Sequence, residues 1–400
     1  MTRILICSTE FPPGPGGIGT HAWQLARHLT RLDWTVRVVT CQDYVSDAEI
    51  DDWNSAQPFE VIRLPSGQRF VQALWSRTDI LRRQLAEFSP DLIVASGLKS
   101  LWLVAAQMGL DIPWVAIGHG SEFNLPRGWK RWLTRRALSS TQRVVCVSEF
   151  TRELALQLGV ARDATEVILN GADDEAYFVT PPAEGDACRR QLGADVEQLL
   201  LTVGHVSLRK AQDLVIRAMP RVLTQFPNAH YGLAGIPTLR PQLQELAKSL
   251  GVEEHVYFLG RLSAAQLRAW FNACDVFVLT SRNTASGDCE GFGIVAIEAA
   301  LCGKPAVVSR GSGLAEAVVD GETGFTVPQE DPDATADAII RLLADRELRN
   351  AAGKAALDRA RREFTWSSRV AQYDRLFRDV APVSREVHNR SPIDQQAVNK

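Results

Sequence analysis

The chain has 400 residues, 46% of them hydrophobic and 23% charged, so it can bury sizeable cores, and at roughly 150 residues per domain it predicts two to three domains. Its 44 basic and 47 acidic residues leave a net charge of −3, which argues against a general nucleic-acid binder. The seven cysteines are widely spread without a C-x-x-C pair, and no apolar run reaches about 18 residues; buried thiols, no spanning helix, no cleavable signal and a cytoplasmic location are expected.

Short β-branched runs at 3–8, 35–41, 61–64, 91–95, 114–118 and 143–147 alternate with helical stretches at 20–31, 70–88 and 127–139. RILICS, DLIVAS and RVVCVS are apolar on both faces, as a parallel sheet covered by helices requires. After the first strand, Gly14-Pro-Gly-Gly-Ile-Gly19 matches G-x-G-x-x-G formally. Glu10-Phe-Pro-Pro intervenes before it, and Asp43 lies beyond the second strand, so a nicotinamide site is disfavoured. A phosphate loop of another kind and a plain tight turn both stand. Past 114–118, Gly118-His119-Gly120-Ser-Glu122 sits at the sheet edge where open α/β folds bind ligands. His119 reads evenly as a solvated loop side chain and as a donor to a phosphate or sugar hydroxyl. Residues 127–136 then gather five basic residues and two tryptophans. A solvated outer face is the commoner meaning, an interfacial membrane helix the sharper one.

A junction is expected over 172–195, where Pro181-Pro182 and Gly185 interrupt the pattern. A second series has strands at 199–203, 230–233, 256–259, 276–280, 306–309 and 324–327, with helices such as 263–272, and two doubly wound α/β domains follow. Behind its first strand come Gly204-His205 and the pair Arg209-Lys210 at a helix start. They are placed to meet an anion together with the helix dipole, and ordinary surface charge is the alternative. The strongest segment is Glu290-Gly-Phe-Gly-Ile-Val-Ala-Ile-Glu298. Its glycines precede an apolar helix, so the amides of Phe292, Gly293 and Ile294 are available to an anion. Glu298 lies in an apolar run, where an unpaired carboxylate is costly, and could reach vicinal hydroxyls; Glu290 could meet a bound polar group. Asp331-Pro-Asp333 is a formal D-x-D but reads as the N-cap of a helix at 334–343, and no His/Cys/Asp cluster has metal spacing. An amphipathic helix at 366–379 and a polar, mobile tail from Pro382 complete the chain.

Taken in order, GGIG (16–19), HGSE (119–122), SEFT (148–151), NGAD (170–173), VGH with the following RK (203–210), GRLS (260–263), Glu290 with Glu298, and SGLAEAVVDGETG (312–324) resemble the large retaining glycosyltransferase family 4 over nearly all of residues 1–380. The resemblance implies the α/β GT-B fold: two doubly wound Rossmann-like domains with an intervening cleft and a C-terminal helix crossing back to the first. The acceptor domain would cover 1–180, the nucleotide-sugar domain 196–363, the returning helix 364–381 and the tail 382–400. It implies a metal-independent retaining transfer, by front-face attack, from a nucleotide-sugar donor to a hydroxyl acceptor in glycan, glycolipid or metabolite synthesis. No cofactor beyond the donor is implied, and no nucleic-acid partner; peripheral contact with the inner face of the cell membrane through 127–136 is the added expectation. Position by position, Lys210 and the amides of Gly293 and Ile294 would hold the diphosphate, joined by the loop of Gly17 and Gly19. Glu298 would take the ribose hydroxyls, Glu290 the donor sugar, Arg261 and Leu262 the base, and His119 the transferring sugar. There are departures: His205 stands where an arginine is usual, with Arg209 expected to compensate, Ala211 stands where a glycine follows the lysine, and Ser312 begins the usual double glycine, though Glu316 remains. An epimerase or phosphorylase on the same scaffold, and a non-catalytic nucleotide-binding module, are the competing readings. The acceptor loops, 44–57 and 65–77, follow no recognisable code.

Overall fold

A computed structural model describes residues 1–41, 45–65, 70–107, 109, 111–193 and 196–381. The expectations for Asp43, Tyr44, residues 66–69 and the tail 382–400 lie outside the described residues. The first sheet comprises β1 (Thr2–Ser8), β2 (Trp34–Thr40), β3 (Glu60–Arg63), β4 (Leu92–Ser96), β5 (Trp114–Gly118), β6 (Arg143–Cys146) and β7 (Thr165–Val167), in the order β3-β2-β1-β4-β5-β6-β7. The second comprises β8 (Gln198–Val203), β9 (Ala229–Ala234), β10 (Val256–Gly260), β11 (Val276–Leu279), β12 (Ala306–Ser309) and β13 (Gly324–Val327), in the order β10-β9-β8-β11-β12-β13. Every named pairing is parallel. The expected α/β fold with two doubly wound domains is what the chain adopts.

The apolar runs explain the layers. Ile4, Leu5, Ile6 and Cys7 in β1, and Val276 through Leu279 in β11, are all buried, so both sheet faces must be covered by helices. In each sheet the strand order reverses direction once, between β1 and β4 and between β8 and β11. Loops leaving the carboxyl ends of those strands form the crevices where such sheets bind ligands. All seven cysteines are buried and free, as their apolar surroundings predict.

Several elements depart from the sequence pattern. β7, three residues long, pairs Thr165 with Val144 as an edge strand; Thr-Glu-Val is too short to carry a periodic signal. Inside the expected junction lies a helix, Pro182–Leu192. Proline is tolerated in a helix's first turn, where its missing N–H costs nothing. Gly185 lets that helix approach Ala273 so closely that a Cβ would sit 3.1 Å from its Cα. The loop expected at 44–57 contains the helix Asp47–Ser55, started by a Ser46/Glu49 capping box. The helix Arg346–Glu363, with a low apolar content, was also not marked by the pattern.

The last helix, Trp366–Val380, returns to the first domain. Its Tyr373 hydroxyl lies 2.9 Å from His21 Nε2, and its Asp374 accepts a 2.7 Å hydrogen bond from Trp34. Trp366, Tyr373 and Phe377 are at most 1% exposed, so this return buries three large aromatic side chains.

Candidate functional site at the carboxyl ends of both sheets

The loops leaving β8 and β11 meet in the second domain. After β8, the short turn Leu208–Lys210 presents two cations, and Ala211 follows at φ +53. That left-handed conformation is where glycine is the untroubled residue, so the alanine departure carries local strain. Arg209 and Lys210 both reach Oε2 of Glu290, Lys210 Nζ at 2.7 Å. Burial pushes the Glu290 carboxyl up, but Arg209 and Lys210 outweigh it and hold the group at about 2, ionised at any neutral pH. Burial lowers the Lys210 ammonium, with Glu290 acting against that shift, while Glu290 raises Arg209.

Beyond Glu290 the chain passes Phe292 and takes Gly293 at φ +84 before the helix Ile294–Leu301 begins, with no side-chain cap on its first amides. Uncapped amides at a helix start suit an anion. Phe292 is 1% exposed and packs against Phe364, so its side chain belongs to the core and its main-chain amide is the part that bears on the expectation for an anion. Glu298, on the second turn, is 7% exposed, and no hydrogen-bond donor among the described residues meets its carboxyl. Burial raises it to about 8, helped by Asp173 and opposed by Lys210. Asp173, which also accepts a 2.6 Å hydrogen bond from Gln24, was within the NGAD motif but was not singled out.

The first domain faces this cluster with the loop after β5. His119 is not a solvated loop side chain: its Nε2 lies 2.9 Å from Ser96 Oγ at the end of β4, and burial lowers its pKa to about 4. Its main-chain N–H donates to Glu122 at 3.0 Å; burial raises that carboxyl to about 7. The two domains touch here. A Cβ on Gly291 would fall 1.8 Å from the His119 carbonyl oxygen, so the second position of E-G-F-G must be glycine for this closure. Ser148 Oγ donates to the Gly291 carbonyl at 2.7 Å, and Ser121 Oγ accepts from Cys289 N at 3.3 Å. Glu316 reaches across to accept from the amides of Glu149 and Phe150 at 2.9 and 2.8 Å, capping the first-domain helix Glu149–Leu158.

The remaining expected residues are dispersed. At Gly19 a Cβ would lie 2.9 Å from Phe11 N, so close packing already requires a glycine there; Gly17, the first helical residue, faces open space. Arg261 is exposed and donates to the Pro13 carbonyl at 2.6 Å, linking the domains; Leu262 is half-buried beside it. His205 is exposed and engages Thr238 at 2.6 Å, and no described contact joins it to Glu290, which pairs with Arg209. Asp331 caps its helix through Ala334 N at 2.8 Å, as expected.

Residues 186–359 match the family model Glycosyl transferases group 1, and residues 15–176 match Glycosyltransferase Family 4. The chain is 29% identical over 382 residues, 93% of its length and 97% of the relative's, to a GDP-mannose-dependent alpha-(1-6)-phosphatidylinositol monomannoside mannosyltransferase of Mycolicibacterium smegmatis. It is 31% identical to a D-inositol 3-phosphate glycosyltransferase of Corynebacterium aurimucosum, covering 94% of each chain. Its fold is similar to that of Anabaena HepE solved with UDP and glucose, with a TM-score of 0.79 at 22% identity, covering 95% of this chain and 100% of the other.

Proposed function

The chain belongs to glycosyltransferase family 4, and on that premise we propose that it moves a hexose from a nucleoside diphosphate sugar to an acceptor hydroxyl, with retention of configuration and without a metal ion. The observation that carries this reading is the convergence of Arg209, Lys210 and Glu290 beside the uncapped start of Ile294–Leu301. Two cations and a helix N-terminus can together stabilise a departing diphosphate, the task a divalent ion would otherwise perform. Lys210 and the amides of Gly293 and Ile294 hold the diphosphate, with Arg209 adding the charge that His205 lacks. The loop of Gly17 joins from the first domain. Arg261 and Leu262 border the base.

Glu298 takes the ribose hydroxyls; its buried carboxyl without a donor supports that role. Glu290, ionised at neutral pH, faces the sugar where positive charge develops as the bond from the anomeric carbon to phosphate oxygen breaks. The acceptor oxygen attacks from the same face, and its proton passes to the departing phosphate oxygen. His119, neutral near pH 7, meets the transferring sugar as a hydrogen-bonding group rather than as an acid.

The names of the relatives point to GDP-mannose as the first donor to test and to inositol-type acceptors, free or lipid-linked. A thermal-shift screen of GDP, UDP and their sugars tests the reading: a ligand at 100 times its Kd adds about 2.7 kcal/mol of stability. No shift with any nucleotide would sink it, and an inverted anomer in the product would sink retention.

The partner reading extends to an anionic bilayer met by the helix Trp129–Leu138. Supporting it, Trp129 and Trp132 are 59% and 67% exposed, and residues 123–148 hold six basic and no acidic side chains. Arg127, Lys130 and Arg136 form no ion pair among the described residues. Changing these three to glutamine should abolish sedimentation with anionic vesicles while sparing turnover of a soluble acceptor. A wild-type protein that ignores such vesicles at low salt refutes it.

A further inference from the structure

The His119 ring has one described hydrogen-bond partner, Ser96, and a single hydrogen bond leaves an imidazole free to pivot. The second constraint is aromatic. His21, on the helix Gly17–Thr30, lies edge-on to His119 with ring centroids 5.1 Å apart and planes at 77°. His21 is 0% exposed and is itself held by the last helix, whose Tyr373 hydroxyl is 2.9 Å from its Nε2 and whose Trp366 ring stands 5.1 Å away. His21 Nδ1 has no partner among the described residues. An orphaned buried nitrogen costs stability that an apolar side chain of similar shape would not, so packing alone does not account for a histidine here.

We propose that His21 and Tyr373 are positioning residues, through which the C-terminal helix holds the His119 imidazole in the cleft. The electrostatics are compatible: burial, with His119 adding to it, keeps His21 far below its ordinary pKa, so two facing imidazoles remain uncharged. Burial keeps the Tyr373 phenol protonated, so its O–H can donate to Nε2 and fix the ring. The chain thus brings two residues 352 positions apart to either side of one hydrogen bond, next to the His119 ring.

This inference rests on the reading in which His119 meets the transferring sugar, and its test separates the two. Tyr373→Phe removes one hydroxyl and keeps the packing. It should lower kcat by about 10- to 100-fold, the scale of a slightly misplaced group, with the donor KM and the calorimetric Kd of free GDP or UDP within about twofold of wild type. In a His119→Ala background the same change should have no further effect on kcat. In protein labelled with 13C at histidine Cε1, the His119 resonance, assigned by its loss in His119→Gln, should move in Tyr373→Phe and in His21→Gln. An additive loss in the His119→Ala background, an unmoved resonance, or a lowered Tm with unchanged kcat overturns the positioning role. If His119→Ala keeps wild-type kcat, the role of His119 falls instead, and the resonance alone decides whether the last helix holds its ring.

Discussion

Replacing Glu290 by glutamine tests the core of the site, because it removes one charge from a cluster of three and keeps the shape. The side chain is 11% exposed, and its carboxyl is held at about 2 rather than 4.5. At about 1.4 kcal/mol for each pH unit, the ionised carboxylate stabilises the folded chain by about 3 kcal/mol, the scale of breaking a buried ion pair. Since the folded pKa is depressed, this contribution is complete above 4.5 and is lost as pH falls towards 2. Urea unfolding followed by tryptophan fluorescence should therefore show Glu290→Gln about 3 kcal/mol less stable at pH 7, and only about half of that near pH 3. The same variant frees Arg209 and Lys210 and removes a negative charge from the diphosphate's neighbourhood. Its affinity for free GDP or UDP should be at least that of wild type while kcat falls, the mark of an interaction felt in the transition state. A loss equal at both pH values, or nucleotide affinity falling in step with kcat, refutes the assignment.

Lys210→Met should weaken free nucleotide by about 1.5–3 kcal/mol, the worth of a charged hydrogen bond, and lower kcat as well; calorimetry paired with turnover checks both. Glu298→Gln should weaken donor and free nucleotide together. Because burial holds Glu298 at about 8, wild-type nucleotide affinity should strengthen as pH rises from 6 towards about 8, and the variant should lose this dependence. A raised carboxyl costs the folded state stability between 4.5 and about 8, so Glu298→Gln should also show the higher Tm at pH 8. Ala211→Gly should stabilise the chain by roughly 1 kcal/mol in urea unfolding, by relieving the left-handed alanine. Activity should persist in EDTA; loss restored by magnesium or manganese would show that the two cations do not suffice.

The expected glycosyltransferase fold was legible because its signals are local. Runs such as RILICS and DLIVAS bury both faces whatever surrounds them, and G-F-G before an apolar stretch gives a bare helix start from its own backbone freedom. The pair Arg209-Lys210 and the glutamates Glu290 and Glu298 could be named because their residue types are costly wherever burial follows. Their states could not. That Glu290 stays ionised while Glu298 is driven towards neutrality depends on which cations and carboxylates stand nearby, and Asp173, Arg209 and Lys210 arrive from other strand ends. Some glycines also have a packing purpose that no local pattern shows: Gly19 makes room for Phe11, and Gly185 for Ala273. Contacts between segments far apart in the chain left no trace in any window of sequence. Glu316 caps a helix 166 residues away, and Tyr373 supports His21 across 352. Periodicity and residue type determine which segments become strands, helices and anion-binding turns. Only the closed chain decides which side chains meet, because burial and Coulomb interaction depend on distance in space, which separation along the chain does not set.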